Sequence, residues 1–359
     1  MRPQPRLDWL IVAPVAYLLI ISLVVLRSVE LSTRTPLLFD YPTQLMAILL
    51  GLALAVVAYR HAKIWSTFGL ALYLVSLLLL VLVSLVGDES GGAVRWLQIG
   101  QFQLQPSEIA KLALILVQAK LLAGRGERLD SPSPAILSAV YVAAVCALVF
   151  AQPDLGTVVV ILAIWLTQLF VSKLPKRTFL LLICLLLLSL PAAYPFLADY
   201  QRQRIDTFIN PSLSAEGEGY NLLQATIAIG SGGLLGKGLD AGSQSQLNFL
   251  PAQHTDFIFA VTAEKLGLLG GLSIVAAFCL LLIRLVNRVA SSDNQFVNLV
   301  GFGVIAALAA PFIINIGMNL GLFPVTGVPL PFVSAGGTHL MVELLMLGIL
   351  GGLTSRPTK

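Results

Sequence analysis

Long apolar runs separated by short polar connections extend along almost the whole chain. A helix needs about 20 apolar residues to cross the hydrocarbon core of a bilayer, and runs of that order recur throughout the sequence. They predict ten membrane spans, at about residues 9–26, 43–59, 64–86, 107–122, 135–151, 155–172, 177–197, 267–288, 296–318 and 336–353. The expected fold is all-α: one polytopic membrane domain over residues 1–359, with a large outer loop at about 198–255 between spans seven and eight.

The segment 256–266 allows two interpretations. It is predicted to be a helical extension that leads into the eighth span. An unbroken apolar run through 257–283 is the alternative, but it would carry Glu264 and Lys265 into lipid at a cost of several kcal/mol.

Composition supports the membrane class. Hydrophobic residues make up 57% of the chain, charged residues 11%, and the mean hydropathy is +0.89. A soluble domain carries about 25% charged residues, so this chain cannot cover itself with a polar surface. The net charge of +4 is spread along the chain in small groups, which gives no reason to expect a nucleic-acid partner. Three cysteines lie inside apolar runs and are expected to be packing residues.

Lysine and arginine in alternate short connections set the predicted orientation. Basic residues at both termini and in the connection around Lys120 to Arg128 predict that these parts are cytoplasmic. The opposite side then carries most of the unusual polar residues.

Three predicted outer segments offer candidate chemistry. Glu108 and Lys111, three residues apart, share a helix face and either serve a site or only neutralise each other; Ser107 is expected to cap that helix. Asp154, in a turn between two spans, is either functional or a helix cap. Arg202 and Arg204 either form a solvated face or bind anionic groups.

Two further segments lie in or next to the long outer loop. The stretch "SGGLLGKG", which contains Lys237, resembles a P-loop, but Ser231 and Gly238 replace the glycine and the magnesium-binding hydroxyl, so that interpretation is rejected. Asp256 lies at the predicted outer boundary of the membrane, where a carboxylate is costly without a partner or a task. Burial would raise the pKa of its carboxyl group toward the range that a general base needs. His254 and Thr255 before it are typical of a cap and a packing residue.

The motifs "RWLQIG", "QPSEIAK", "QPDLGT", "QRIDTFINP", "IAIGSGGLLGKGL", "LPAQHTDFIFAVTAEKLG" and "PVTGVPLPFVSAGG" occur in this order from about residue 90 to the end. Together they resemble the SEDS family of shape, elongation, division and sporulation proteins. The short N-terminus is more typical of its elongation members. The resemblance implies a bacterial inner-membrane peptidoglycan glycosyltransferase that polymerises lipid II together with a class B penicillin-binding protein.

The same resemblance implies roles for individual residues. Asp256 is expected to be catalytic, and a divalent cation, Mg²⁺ or Mn²⁺, is expected to use it as a ligand. The expected substrate contacts are Glu108, Lys111, Asp154, Arg202, Arg204, Lys237, His254 and Ser334. Two positions depart from the family pattern: Ala252 stands where a glutamate is common, and Ala335 where a tyrosine is common.

Two other functions remain open from the sequence. A lipid II flippase would need ionisable residues near the bilayer midplane and internal repeats, and neither is visible. A scaffold that only recruits a transpeptidase would not need Asp256. Membrane lipids are expected neighbours in each case.

Overall fold

The structure, a computed structural model, describes residues 8–32, 41–90, 93–99, 102–124, 133–172, 174–209, 218–246 and 249–355. Within these ranges the chain forms thirteen α-helices and a small antiparallel sheet. The helices are α1 (Trp9–Ser32), α2 (Tyr41–Arg60), α3 (Ala62–Val86), α4 (Pro106–Ala123), α5 (Ser133–Ala151), α6 (Leu155–Val171), α7 (Lys176–Ala193), α8 (Asp199–Ile209), α9 (Glu218–Ser231), α10 (Ser243–Gln246), α11 (Ile258–Ala290), α12 (Gln295–Asn319) and α13 (Thr338–Thr354). The strands β1 (Asp88–Ser90), β2 (Ala93–Ile99) and β3 (Phe102–Leu104) pair in the order β1-β2-β3.

The predicted spans coincide with α1 to α7 and α11 to α13, to within about four residues except at the end of α1 and the start of α11. In the described ranges, six helices are long and apolar enough to cross a membrane: α1, α2, α3, α5, α11 and α12. The all-α membrane fold is therefore confirmed, whereas the count of ten spans and the orientation stay predictions. The predicted outer loop contains three helices, α8 to α10, that the apolar pattern did not indicate.

The ambiguous segment before the eighth span is helical, but the helix bends. α11 runs for 33 residues, and Gly267 inside it has non-helical angles of φ 71° and ψ −169°. At about 1.5 Å per residue such a helix is longer than the hydrocarbon is thick. Glu264 and Lys265 precede the bend and are fully buried in protein. The interpretation as an extension into the span is thus favoured over the unbroken run.

A glycine-rich loop that follows α9 satisfies the main chain at this bend. Its amides at Lys237 and Gly238 donate to the carbonyls of Glu264 and Lys265, both at 3.0 Å. In return the Leu268 amide donates to the Gly233 carbonyl at 2.8 Å. Gly232 and Gly236 of "SGGLLGKG" therefore allow a close approach between two main chains, since a Cβ on either would overlap a carbonyl of α11.

Side chains complete this junction. The Glu264 carboxylate accepts the amides of Gln244 (2.9 Å) and Ser245 (3.0 Å), at the start of α10. The Lys265 Nζ donates to Ser28 Oγ on α1 (2.6 Å) and to the Leu239 carbonyl (2.8 Å). These contacts explain why two ionisable groups are retained in an apolar segment, since buried charges need such partners.

Contacts between Cα atoms divide the chain into two compact units, each assembled from three stretches. The first unit comprises residues 1–50, 203–285 and 309–343, and the second comprises 51–202, 286–308 and 344–359. The single polytopic domain over residues 1–359 stays a prediction.

The core of the second unit combines close helix contacts with buried amides. Gly69 on α3 leaves room for Leu116 on α4, since a Cβ there would lie 3.2 Å from the Leu116 Cβ. Ser138 on α5 donates to Gln118 of α4 and accepts from the Trp165 indole of α6, both at 2.8 Å. These paired polar groups fix the register of three apolar helices, because an unpaired group there would be costly.

The junction at α11 can be tested with two glycines of the loop. Gly233 (φ 57°) and Gly236 (φ 82°) both have left-handed angles, but a Cβ on Gly236 would overlap the Lys265 carbonyl, whereas nothing lies within 4 Å of a Cβ on Gly233. Gly233→Ala should lower the free energy of unfolding by about 1–2 kcal/mol. Gly236→Ala should lower it clearly more, as measured by thermal unfolding in detergent. Equal losses for the two variants would contradict the proposed close approach.

Candidate functional site

Asp256 is fixed by its main chain in the turn that precedes α11. Its amide donates to the Ala252 carbonyl at 3.1 Å. Its carbonyl accepts from the side-chain amides of Asn315 and Asn319, each at 3.0 Å. Two groups one turn apart on α12 therefore determine where the aspartate lies.

The two asparagines form a buried pair that the sequence interpretation missed. Neither is accessible to solvent. Asn315 also donates to the Val328 carbonyl at 2.8 Å, and Asn319 accepts the Ala260 amide at 3.3 Å. The available signal was the segment "NIGMN" inside an apolar span, because polar residues within spans are costly and mark functional positions.

Ser334 lies directly behind the same turn. Its hydroxyl donates to the Thr255 carbonyl at 2.6 Å and accepts the Leu330 amide at 2.7 Å. The next amide, of Ala335, donates to the His254 carbonyl at 2.8 Å. Ser334 is fully buried, so these contacts make it a support for the turn; its role as a substrate contact stays a prediction.

A further amide holds the proline-rich segment that contains Ser334. Gln44 on α2 donates to the Ser334 carbonyl at 3.3 Å and accepts the Gly336 amide at 3.0 Å. Gln44 was also missed, although it is a polar residue in the first turn of an apolar helix. The segment has no regular secondary structure, and its main chain must be paired inside the protein.

Gly327 brings a cation and the Asp256 carboxylate to the same place. A Cβ on Gly327, whose φ is 70°, would lie 3.6 Å from Asp256 Oδ2 and 4.0 Å from Arg204 Nη1. The carboxylate and the guanidinium thus both lie close to Gly327, whose left-handed φ favours glycine. Among the predicted site residues, these two are brought together.

His254 and Lys237 occupy different surroundings. His254 is partly buried, and burial lowers the pKa of its imidazole below the usual range. Lys237 Nζ donates to Ser231 Oγ at 2.7 Å and pairs with Glu264 at 3.4 Å, so these contacts belong to the glycine-rich loop.

Glu108 and Lys111 form a short ion pair in the second unit. Their charged atoms are 2.8 Å apart, and their side chains are 5% and 9% exposed. The N-cap of α4 is Gln105, which makes no side-chain cap bond, and Pro106 occupies the first turn. The expectation that Ser107 caps this helix is therefore wrong, because the helix begins at Pro106 and its N-cap lies two residues before Ser107.

Asp154 is the N-cap of α6. Its carboxylate accepts the Thr157 amide at 3.1 Å and the Thr157 hydroxyl at 2.8 Å, and it is 6% exposed. The capping interpretation describes these contacts, and the substrate role stays a prediction.

Arg95 on β2 fastens the turn that contains Asp154, and its role was also missed. Its guanidinium donates to the carbonyls of Gln152 (3.1 Å) and Pro153, and Nη1 lies 3.9 Å from the Asp154 carboxylate. It also donates to the Tyr200 hydroxyl at 3.2 Å, which itself donates to Pro153. Three consecutive residues of the turn are thus held by one side chain.

Arg202 makes local contacts within the second unit. It donates to the Pro195 carbonyl at 2.7 Å, lies 3.8 Å from the Asp199 carboxylate and stacks over the Tyr194 ring at 6.0 Å. This places it against the residues that connect α7 and α8.

Few of the described side chains could act as ligands of a metal ion at this site. In the part of the chain that the structure describes, no three His, Cys, Asp or Glu side chains are grouped to hold one. Asp256 would contribute a single carboxylate. Mg²⁺ commonly binds one or two carboxylates and takes its other ligands from phosphates and water, so the residues fit an ion that arrives with a phosphorylated substrate.

The ion pair on α4 predicts a stability effect. Lys111→Ala should leave Glu108 buried and unpaired and lower the free energy of unfolding by about 3–5 kcal/mol. Lys111→Met combined with Glu108→Gln should recover most of that stability in thermal unfolding. Full stability of Lys111→Ala alone would contradict a structural pair and assign the lysine to substrate binding.

The Arg95 contacts predict a second effect. Arg95→Lys keeps the charge but loses the planar fork, so it should cost about 1–3 kcal/mol. Tyr200→Phe should cost about 1 kcal/mol, and a double-mutant cycle should show coupling, since both groups bind Pro153. Arg202→Lys, a control with one carbonyl partner, should couple with neither. Strict additivity of Arg95→Lys and Tyr200→Phe would be inconsistent with a shared clamp.

The sequence and structure are similar to known cell-wall proteins. A model of the FtsW/RodA/SpoVE family, described as cell cycle proteins, matches residues 6–358. The peptidoglycan glycosyltransferase MrdB of Escherichia coli K12 is 41% identical over 304 residues, which cover 84% of this chain and 82% of that protein. A probable peptidoglycan glycosyltransferase FtsW of Coxiella burnetii is 36% identical over 355 residues, or 95% of this chain and 94% of that one.

Solved structures agree with these relatives. The rod shape determining protein RodA of Thermus thermophilus has a TM-score of 0.72 at 31% identity, over 98% of this chain and 97% of that one. A chain from a peptidoglycan synthase complex, described as coordinating polymerization and crosslinking, has a TM-score of 0.82 at 32% identity, over 97% and 98%. The chain therefore belongs to the FtsW/RodA/SpoVE family of cell cycle proteins, as its motifs indicated.

Proposed function

We propose that this protein is a peptidoglycan glycosyltransferase that polymerises lipid II into glycan strands during cell elongation, at the outer face of the bacterial cytoplasmic membrane. The relatives MrdB and FtsW are named as a peptidoglycan glycosyltransferase and a probable one. Each matches this chain over most of its length. One observation of the site supports it most: the Asp256 carboxylate and the Arg204 guanidinium both lie close to Gly327, and α12 holds the turn that contains Asp256.

The reaction needs a base and a cation. The 4-hydroxyl oxygen of one sugar forms a bond to the anomeric carbon of another, and the bond from that carbon to the undecaprenyl diphosphate breaks. The hydroxyl proton passes to the Asp256 carboxylate, and the electron pair of the broken bond leaves with the diphosphate. Arg204 supplies positive charge to the departing group.

The clamp on the main chain of Asp256 contributes orientation. A carboxylate on a mobile turn would sample many positions, whereas catalysis requires reacting atoms about 3–3.5 Å apart. Asn315 and Asn319 restrict that motion without occupying the carboxylate, since they bind the carbonyl. Burial lowers the pKa of the neighbouring His254 imidazole below its usual range and so favours its neutral form.

The other expected residues and partners complete the proposal. Glu108, Lys111, Asp154, Arg202, Lys237 and Ser334 are proposed as lipid II contacts or supports on the family resemblance. A Mg²⁺ or Mn²⁺ ion bound to Asp256 would supply charge for the diphosphate oxygens. A class B penicillin-binding protein is the proposed partner, supported by the likeness to a chain of a peptidoglycan synthase complex.

The proposal is tested with Asp256→Asn. Asparagine keeps the size of the side chain and the main-chain clamp, but it cannot accept the proton. The variant should fold like the parent and lose about 10²–10⁴-fold in the rate of glycan strand formation. The measurement is gel separation of products from labelled lipid II with purified protein, with and without the transpeptidase partner.

A matched control tests whether the loss of any carboxylate, rather than of Asp256 in particular, lowers strand formation. Asp293→Asn removes an exposed carboxylate between α11 and α12 and should polymerise normally. Near-normal strand formation by Asp256→Asn at equal stability would refute the catalytic assignment. Loss of lipid II translocation in vesicles with polymerisation intact would instead favour the flippase.

A further inference from the structure

A buried carboxylate in the last helix takes no part in the proposed reaction. Glu343 lies in the second turn of α13 and is 7% exposed. An ionisable side chain in an apolar helix is costly and is retained for a partner or a task. Its Oε2 atom accepts the main-chain amide of Phe332 at 3.0 Å. Glu343 therefore acts on the proline-rich segment that precedes α13.

Phe332 has a conformation that needs support. Its φ of 62° lies in the left-handed region, which is unfavourable for a residue with a bulky side chain. Such a conformation persists only where the surrounding structure enforces it. The Phe332 ring is fully buried, 6.3 Å from the Phe278 ring on α11, and the amide is bound by Glu343. Ring packing and one main-chain contact thus hold the strained residue.

The strained residue lies at the middle of a closed turn, the Phe332 turn (residues 330–335). The Leu330 amide donates to Ser334 Oγ at 2.7 Å, and the Ser334 amide donates to the Leu330 carbonyl at 2.9 Å. Phe332 lies midway between these two residues, so its conformation determines whether the turn closes.

The closed turn supports the main chain just before Asp256. The Ser334 hydroxyl donates to the Thr255 carbonyl at 2.6 Å, and the Ala335 amide donates to the His254 carbonyl at 2.8 Å. The two asparagines of α12 bind the next carbonyl, that of Asp256 itself. The segment is therefore held from two elements, and one of the two depends on the buried glutamate.

We propose that Glu343 is a positioning residue for glycosyl transfer. Its side chain holds Phe332 in the left-handed conformation, and the Phe332 turn then fixes the two residues before Asp256. This series of contacts keeps the Asp256 carboxylate in its reactive orientation. A displacement of about 1 Å at a catalytic group lowers a rate about 10²-fold. The inference rests on the proposed role of Asp256 as the general base.

Hydrogen exchange tests the series of contacts without reference to activity. Glu343→Gln keeps an oxygen acceptor for the Phe332 amide, whereas Glu343→Leu does not. Deuterium uptake is measured by mass spectrometry on the full chain in detergent, in peptides that cover residues 252–257 and 330–335. Glu343→Leu should exchange roughly tenfold faster than the parent in both segments, and Glu343→Gln should stay close to the parent. Unchanged uptake at 252–257 in Glu343→Leu would overturn the proposal.

A second buried glutamate provides the matched control. Glu264 is fully buried and also accepts main-chain amides, those of Gln244 and Ser245. Glu264→Leu should therefore speed exchange at residues 244–246 and leave 252–257 like the parent. Equally faster exchange at 252–257 in both leucine variants would indicate general loosening and would refute the specific series of contacts.

Kinetics connect these contacts to the reaction. With labelled lipid II, Glu343→Leu should lower kcat roughly 10–100-fold and change KM less than about threefold, since it alters orientation rather than binding. Glu343→Gln should recover most of kcat. A raised KM at unchanged kcat would contradict a positioning role.

A double variant distinguishes this inference from the proposed function. Because Glu343 acts through Asp256, adding Glu343→Leu to Asp256→Asn should cause little further loss of strand formation. A full additional loss of roughly 10–100-fold would refute the action through Asp256. Near-normal activity of Asp256→Asn alone would refute the catalytic assignment instead, and hydrogen exchange would still show whether Glu343 holds the turn.

Discussion

The buried non-helical segments that the structure describes have main chains paired within the protein, and that constraint organises the structure. Water does not reach a buried main chain, so an unpaired amide or carbonyl there costs several kcal/mol. The bend at Gly267 is paired by the glycine-rich loop. The turn that contains Asp256 is paired by two asparagines, and the turn that contains Asp154 by Arg95. The candidate site is therefore built largely from side chains that hydrogen-bond to the main-chain groups of other residues.

The sequence predicted the helices well because their signal is local. Apolar runs of about 20 residues identified each long helix, and the cost of burying Glu264 and Lys265 in lipid indicated a distinct segment before the eighth span. The helices within the predicted outer loop were missed, since α8 is polar on average and α10 has four residues. The Ser107 cap was wrong because capping preference competes with a proline that starts the helix.

The site was predicted only in part, for a different reason. Asp256 and Arg204 carry charges that stand out against an apolar background, so the sequence indicates them directly. Asn315, Asn319, Gln44 and Arg95 act on carbonyls or amides far away in the chain. Every residue except proline has the same amide and carbonyl, so nothing in one sequence identifies the partner.

The order of synthesis gives the α11 junction a particular consequence. Glu264 and Lys265 are partnered by Ser28, Lys237, Leu239, Gln244 and Ser245. All of these residues precede the helix in the chain, so the ribosome has made them before α11 emerges. The Asp256 turn instead depends on α12 and on Ser334, which are made later. In a nascent chain, Glu264 and Lys265 can therefore find their partners as soon as α11 is made. The geometry around Asp256 is completed only near the end of translation.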